Sequence, residues 1–534
     1  MTITAKYPGR CSVCGGPVSP GQQVEWSKAD KTVRHLNCDT AVAPTPEAAA
    51  LSFTPTVEQT RALELFSTGQ SLAIEAGAGT GKTSTLRLLA ESTNRRGQYL
   101  AFNKAIVVEA GSKMPGTVTC STAHSLAYRN VGKQYSDRLR NSRRMKPMDL
   151  ANFLGVEEIA TDTKVLARSF LGGIVMAAVT RFCQSADEEI SAKHVPFIEG
   201  IDIPVDGVRT YANNNMVARA LEPVLRRAWS DLMSTSGRLP FKHDHYLKAY
   251  QLSDPHIATD YILFDEAQDA NPVMVAIVAA QTHAQLVWVG DSQQQIYTFT
   301  GAVNALASVP ADQVAFLTQS FRFGEAVADV ANTILDRLPA ADLRIVGTET
   351  INSVVGPLAD PAAILCRTNA AAVETVLNAQ QQGRRAALVG GGVEVVRFAK
   401  GAQDLMSFGR SEHPDLACFD SWGEVQSYVN EDEQGGELRL LVQLVDRFSV
   451  QTILDALDRV IREEDADVTV STAHKAKGRE WDSVQLAGDF PEPEKQGDEE
   501  LRLLYVACTR AKRELDIEAV AIEAAAVDAE PVLS

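Results

Sequence analysis

The sequence predicts an α/β protein built on two parallel sheets with helical insertions, preceded by a small N-terminal zinc-binding module. Three observations carry this prediction. The apolar run "SLAIEAG" leads through a glycine-rich turn into the helix former "TSTLRLLAE". Two more apolar runs, "YILFDEAQD" and "QLVWVGDSQQQIY", end in carboxylates and amides. Buried strands of an open parallel sheet deliver ligand-binding side chains from such ends. A second series, "AAILCR", "AALVGGG", "DVTVSTAHKAKG" and "SVQLAGDF", repeats the strand-then-loop pattern later in the chain.

A chain of 534 residues has room for roughly three to four compact units. Apolar content of 45% and charged content of 22% belong to a globular protein rather than a disordered one. The net charge of −17 opposes non-specific coating of nucleic acid, yet leaves room for a narrow basic channel inside an acidic body. No apolar run approaches the ~20 residues that span a bilayer, and "MTITAKYPGRC" lacks the apolar core of a signal peptide. The expectation is a cytoplasmic protein without membrane contact. Of the eight cysteines, Cys120, Cys183, Cys366, Cys418 and Cys508 are scattered and are expected as small buried residues rather than a disulfide framework.

In chain order, residues 1–42 form the first unit. "CSVC" and "HLNC" set Cys11, Cys14, His35 and Cys38 as two ligand pairs around turn-forming sequence, a spacing that suits structural Zn²⁺. The competing reading is three coincidental cysteines and a surface histidine. Residues 43–54, rich in Ala, Pro and Thr, are a linker. Residues 55–125 and 245–315 compose the first sheet domain, and 126–244 a mainly helical insertion within it. That insertion carries the basic cluster "RLRNSRRMK", either a solvated helix face or a contact to a nucleic-acid backbone. Residues 316–395 and 466–520 compose the second sheet domain, 396–465 a small helical and acidic insertion, and 521–534 an acidic tail.

The chemistry starts at "EAGAGTGKTSTL", residues 75–86. Ala76, Gly77, Ala78, Gly79, Thr80, Gly81, Lys82, Thr83 and Ser84 form a phosphate-binding loop. Its glycines let backbone N–H groups turn inward toward an anion at a helix N-terminus. Lys82 reaches the β- and γ-phosphates and Thr83 ligates Mg²⁺. The G-x-x-x-x-G-K-[ST] pattern is met except at its first glycine, where this chain has Ala76. In "DEAQD", Asp265 at a strand end is placed to hold Mg²⁺, and Glu266 beside it to polarise an attacking water.

With these motifs the chain resembles superfamily 1 helicases of the UvrD/Rep family, most closely the F-box DNA helicase-like branch. The likeness covers roughly residues 50 to 520, with motifs in the family's order. It implies two RecA-like domains that close on ATP and Mg²⁺. "TPTVEQ" resembles the motif whose Gln59 reads adenine. "YLAFNKAI" and "STAHSLAY" resemble strand-binding motifs, bringing in Phe102, Asn103 and His124. "GDSQQQIYTFTGA" is similar to the motif in which Gln294 senses the γ-phosphate and Tyr297 and Phe299 meet bases. "LTQSFRF" resembles the segment with an adenine-stacking aromatic, Phe321, and a phosphate-binding Arg322. "VSTAHKAKGREWDSV" matches the motif that brings Gly478 and Glu480 to the nucleotide and His474 to DNA. "LRLLYVACTRAK" matches the last motif, with Arg510 as the arginine finger. Departures are Thr300, where relatives often have arginine, "SFRF" in place of the commoner asparagine–tyrosine–arginine–serine form, and the small second insertion.

The resemblance implies a monomeric ATP-dependent 3′→5′ DNA helicase acting on single-stranded and tailed duplex DNA in replication, recombination or repair. A protein partner is expected through the zinc module. Two other readings remain open at this level: a translocase that displaces proteins from single strands, and a zinc-dependent recruitment protein with an ATP switch. Stacking and backbone contacts do not by themselves separate a DNA track from an RNA one.

Overall fold

The computed structural model describes residues 2–5, 9–12, 17–18, 21–27 and 32–36, and then 54–522 apart from 102–103, 142–144, 163–164, 199–200, 203–209, 298–302, 310, 340–342, 412, 414, 417–418, 420 and 432–435. The chain divides into two compact units, Met1–Pro55 and Thr56–Ser534. In the first, strand Gln23–Ser27 pairs antiparallel with Thr2–Thr4 on one side and Thr32–His35 on the other, beside a short hairpin of Gly9–Arg10 and Pro17–Val18. Its described core is small: Ala5, Cys11, Val18 and Val24. Cys14 and Cys38 lie outside the described residues.

The second unit contains two six-stranded sheets, both wholly parallel. In the first, the order is Gln313–Leu317, Leu72–Ala76, Gln285–Gly290, Tyr261–Phe264, Gly97–Ala101, Val118–Thr122. "YILF" is apolar throughout, and "LAIEA" is so except for Glu75, because helices cover both faces of such a sheet. Leu72, Ile74, Leu263 and Val289 pack with Phe66 and Leu89 of flanking helices. The second sheet runs Val354–Val355, Ala511–Asp516, Trp481–Leu486, Ala363–Cys366, Val468–Thr472, Ala386–Leu388. Its core is closed by helices Glu325–Leu335 and Asp498–Cys508.

The chain leaves the first sheet after Thr122 and rejoins it at Tyr261. Between lie helices Arg168–Gln184, Ala212–Met233 and His243–Leu252, which share one apolar core, and a two-stranded hairpin of Ile159–Ala160 and Val165–Leu166. The basic cluster here splits in two. Arg138 is buried, not solvated: its guanidinium donates to the carbonyls of Asp231, Leu232 and Ser234 at 3.1, 2.8 and 2.6 Å and of Leu239 at 2.8 Å. It thereby supplies donors to carbonyls at and just beyond the C-terminal end of helix Ala212–Met233, where in-helix donors run out; the Asp231 carbonyl also accepts the Ser234 N–H at 3.1 Å. Arg140 is exposed and pairs with Asp137 at 2.6 Å.

Between Leu388 and Val468 the second sheet is interrupted by helices Val393–Phe408, Trp422–Glu431, Gly436–Phe448 and Val450–Asp458, packed around Phe398, Leu405, Val445 and Ile453. Cys183, Cys366 and Cys508 are buried and Cys120 partly so, as expected; Cys418 lies outside the described residues. Among the described residues no helix is long and apolar enough to cross a membrane.

Candidate active site

Strand Leu72–Ala76 ends at the glycine-rich turn, and helix Lys82–Glu91 starts after Gly81. Gly79 and Gly81 have φ of 75° and 78°, the left-handed region that favours glycine. A side chain at Gly79 meets a second obstacle, since its Cβ would lie 2.6 Å from the Cβ of Arg322. The glycine thus lets the segment after strand Gln313–Leu317 dock on the loop, where the Phe321 N–H donates to the Gly79 carbonyl at 2.9 Å. Lys82 Nζ donates to the carbonyls of Ala76 and Gly77 at 3.1 and 3.4 Å. The Thr80 hydroxyl donates to the Gly77 carbonyl at 2.9 Å. A cleft of about 490 Å³ opens over the loop, lined by Gly79–Ser84 on one side and by Glu266, Gln294, Arg322 and Arg510 on the others.

Strand Tyr261–Phe264 delivers the two carboxylates. Asp265 is buried behind the cleft wall, accepting from the Tyr99 hydroxyl at 2.6 Å and from the Glu266 N–H at 2.9 Å. Burial, then the charge of Glu266, pushes Asp265 up. Burial acts the same way on Glu266, but Lys82 and Lys477 outweigh it and hold that carboxyl below its ordinary value. Glu266 adopts φ 55°, ψ 46°. A left-handed backbone is uncommon for a residue with a side chain and marks functional sites, where surrounding structure imposes it. Here Gln268 imposes part of it, donating to Glu266 Oε2 at 2.5 Å.

Gln268 also ties this strand end to the next. Its Oε1 accepts the Asp291 N–H at 3.1 Å, just past strand Gln285–Gly290. Asp291 is fully buried and accepts from Gln294 Nε2 at 2.7 Å. Glu75, one residue before Ala76, accepts from the Ser292 N–H and hydroxyl, both at 2.7 Å. Burial and then the charge of Asp291 push Glu75 up to about 7. At low pH the folded and unfolded chains both hold this proton, and as pH rises toward 7 only the unfolded chain releases it. The folded state therefore loses stability over that interval. Replacing Glu75 by Gln removes the loss, so from about pH 5 to pH 7.5 the melting temperature of the unmodified chain falls relative to Glu75→Gln. Parallel melting curves would show Glu75 ionised throughout.

The opposite wall comes from the second sheet. Arg510 follows helix Asp498–Cys508 and is 1% exposed, with Nε donating to the Val506 carbonyl at 2.8 Å and Nη2 to Thr509 Oγ1 at 3.1 Å. Nη2 also reaches Gln294 Oε1 at 3.4 Å. Burial, reinforced by the charge of Arg322, brings its pKa down to about 9. Arg322 donates to Glu480 at 2.8 Å and to the Thr509 carbonyl at 3.1 Å. Gly478, with φ 83°, and Glu480 line the same cleft. Gln59 does not line it. Its side chain caps helix Val57–Ser67 through the Thr56 N–H at 3.1 Å and donates to Thr85 at 3.2 Å, beside Gly81. The exposed Phe321 ring stands beside the same glycine.

Of the residues expected to meet a strand, Tyr297 and His474 come together: the tyrosine hydroxyl donates to the His474 carbonyl at 3.1 Å. Both line a second cavity of about 580 Å³ with Arg367 and Lys475. Burial lowers the His474 pKa, and Arg367 adds to the effect. Tyr297 lines the first cleft as well, so one ring separates the two spaces. His124 stands elsewhere, bonded to Asp244 at 3.1 Å in a groove with Tyr128 and Arg140. Phe102, Asn103, Phe299 and Thr300 lie outside the described residues.

Sequence reasoning missed Glu75, Gln268, Lys477 and Tyr505, all inside motifs it had used. Lys477 donates to Asp269 and to the Gln294 carbonyl, both at 2.6 Å, and its ammonium sits 5.3 Å from the centre of the Tyr297 ring. Nothing in the local run "HKAKG" singles Lys477 out from Lys475. In the N-terminal unit, the buried Cys11 Sγ accepts the His35 N–H at 3.4 Å. No group of three or more metal-binding side chains forms among the described residues.

Comparison with known proteins agrees with this geometry. Residues 59–300 match the AAA domain family, and residues 424–521 match the UvrD-like helicase C-terminal domain. The chain is 30% identical over 497 residues to F-box DNA helicase protein 1 of Schizosaccharomyces pombe, covering 84% of this chain and 55% of that protein. It is 31% identical over 494 residues to F-box DNA helicase 1 of Gallus gallus, covering 83% and 47%. It is 25% identical over 544 residues to ATP-dependent DNA helicase UvrD2 of Mycobacterium tuberculosis, covering 83% and 75%. The chain thus spans about half the length of the F-box relatives. It carries UvrD-like helicase domains and is a homologue of the F-box DNA helicases.

Proposed function

We propose that the chain is an ATP-dependent DNA helicase that moves 3′→5′ along single-stranded DNA and unwinds duplex, as a monomer, in replication, recombination or repair. The observation that carries this reading is the cleft itself. It sets Lys82 and Glu266 of the first sheet against Arg510 of the second, with Arg322 on the segment between them. Three cations around a helix N-terminus suit a polyphosphate, and the Thr83 hydroxyl in the cleft, with Asp265 behind its wall, would hold Mg²⁺. Bound ATP would supply the anhydride bond whose hydrolysis drives the cycle.

In that reading Lys82 and Arg322 bind the phosphates, Gln59 and Phe321 flank the adenine beside Gly81, and Glu480 serves the ribose. Glu266 takes the proton of the attacking water. Arg510 and Gln294 stabilise charge that develops on the γ-phosphate oxygens. A cleft whose two walls hold one ligand closes when it binds and reopens when it is cleaved. Tyr297, between the cleft and the cavity with His474, would pass that movement to a strand gripped by stacking and backbone contacts, to which Phe102, Asn103, His124 and Phe299 would add. The test is ATPase activity with and without single-stranded DNA, together with unwinding of 3′- and 5′-tailed duplexes. Turnover indifferent to DNA, or unwinding only from 5′ tails, would refute the reading.

The proposal extends to the N-terminal unit as a zinc-stapled module for recruiting a DNA structure or a protein partner. Its support is the ligand spacing of Cys11, Cys14, His35 and Cys38 and the N–H bond to Cys11 sulfur. So small a core leaves folding to the metal, whose binding is worth about 10–16 kcal/mol in comparable peptides. Metal analysis should find about one zinc per chain, lost in Cys11→Ser/Cys14→Ser while basal ATPase persists. Freshly purified protein without zinc would overturn the site.

A further inference from the structure

Tyr505 has no role in the reading above, yet it touches more of the cleft's machinery than its position in a helix would require. Its side chain is fully buried. The hydroxyl donates to Asp291 Oδ2 at 3.1 Å and accepts the N–H of Ala78, within the phosphate loop, at 3.2 Å. A hydroxyl has one proton and two lone pairs, so this arrangement uses the donor and an acceptor with correct polarity.

Asp291 is the hub of the first sheet's strand ends. Its second partner is Gln294, whose side-chain Oε1 accepts from Arg510, and its own N–H meets Gln268, which holds Glu266. Arg510 lies five residues beyond Tyr505, just past the same helix. The contacts therefore close a ring: Arg510 to Gln294, Gln294 to Asp291, Asp291 to Tyr505, and Tyr505 back to Arg510 through the backbone. A branch leads from the ring to Glu266. Buried networks of this kind hold their members in one arrangement, and deleting one bond loosens the others.

We propose that Tyr505 is a positioning residue for phosphate hydrolysis, fixing Asp291 and through it Gln294 and Glu266, and holding the phosphate loop in register with Arg510. It touches none of the reacting atoms. The inference rests on the ATPase reading of the cleft. Because Lys82, Arg322 and the remaining loop amides still bind the nucleotide without it, loss of the hydroxyl acts on turnover rather than on binding.

The experiment is steady-state ATPase of the full chain with single-stranded DNA. Tyr505→Phe keeps the ring and its packing, and should lower kcat about tenfold while KM for ATP stays within about twofold. Its melting temperature should move by only a few degrees. Gln294→Ala breaks the ring at another point, so the double variant Tyr505→Phe/Gln294→Ala should be no slower than the slower single variant, within about threefold. Should Tyr505→Phe fail to fold, Asp291→Asn tests the same bond from its other end with the same expected split. An unchanged kcat, a change confined to KM, or fully additive losses in the double variant would each overturn the proposal. Absence of turnover in the unmodified chain would instead refute the ATPase reading on which it stands.

Discussion

Arg510→Ala should lower ATP turnover by about 10³–10⁵, the measured worth of an arginine finger in phosphoryl transfer. The size of the effect follows from preorganisation. The guanidinium is buried and already oriented by the Val506 carbonyl and the Thr509 hydroxyl, so it spends nothing on reorganisation when charge develops in front of it. Arg510→Lys should recover little, because one ammonium cannot replace a planar fork held at four points, by Val506, Arg479, Gln294 and Thr509. Nucleotide binding should persist in both variants through Lys82 and Arg322, measured with a fluorescent ATP analogue. A kcat within tenfold of the unmodified chain would place the transition-state charge somewhere other than beside Arg510.

Glu266→Gln should slow hydrolysis by about 10²–10⁴, the usual worth of a positioned base. Gln keeps the shape, and its carbonyl oxygen can still accept from Gln268, so the left-handed backbone at this position is not released. ATP and DNA binding should survive, and a pre-steady-state assay should show a missing chemical step rather than a missing binding step. Loss of nucleotide binding would show that Glu266 serves as a metal ligand or as a structural group. Asp265, bonded to the Tyr99 hydroxyl and set behind the cleft wall, stays intact in this variant and separates the two roles.

The strand–glycine turn–helix run at 72–91 and the placement of Asp265 and Glu266 at a strand end were legible in the sequence because each is local: a strand, its end and the next few residues specify them. Gly79 illustrates the limit of that legibility. Its positive φ follows from the motif, but its contact with Arg322 depends on a segment over two hundred residues away. Tyr505 and Lys477 were invisible for the same reason, with partners 427 and 208 residues distant. Arg138 failed differently. A basic run reads as solvated because charge is costly to bury, and the carbonyls at a distant helix end together with the Asp231 carboxylate at 3.6 Å, absent from any local pattern, make its burial favourable. Gln59 shows a motif residue doing local work, closing a helix cap beside the loop.

The strand order of the first sheet has a consequence for how this chain comes off the ribosome. Strand Leu72–Ala76 pairs with Gln285–Gly290 and Gln313–Leu317, and with neither of the strands made soon after it. At ~5–20 residues per second, synthesis leaves it without a sheet partner for on the order of ten to forty seconds. Closing so long a loop costs little free energy at equilibrium, since the entropy grows only with the logarithm of length. It is slow, however, and an apolar strand with bare edges is open to mispairing meanwhile. Helices between Thr122 and Tyr261 share their core with Leu100, Ile262, Phe264 and Trp288 of the sheet, so that core too stays incomplete until the later strands are made. The glycine-rich loop after this strand is made early and acquires its supporting strands among the last of its own sheet.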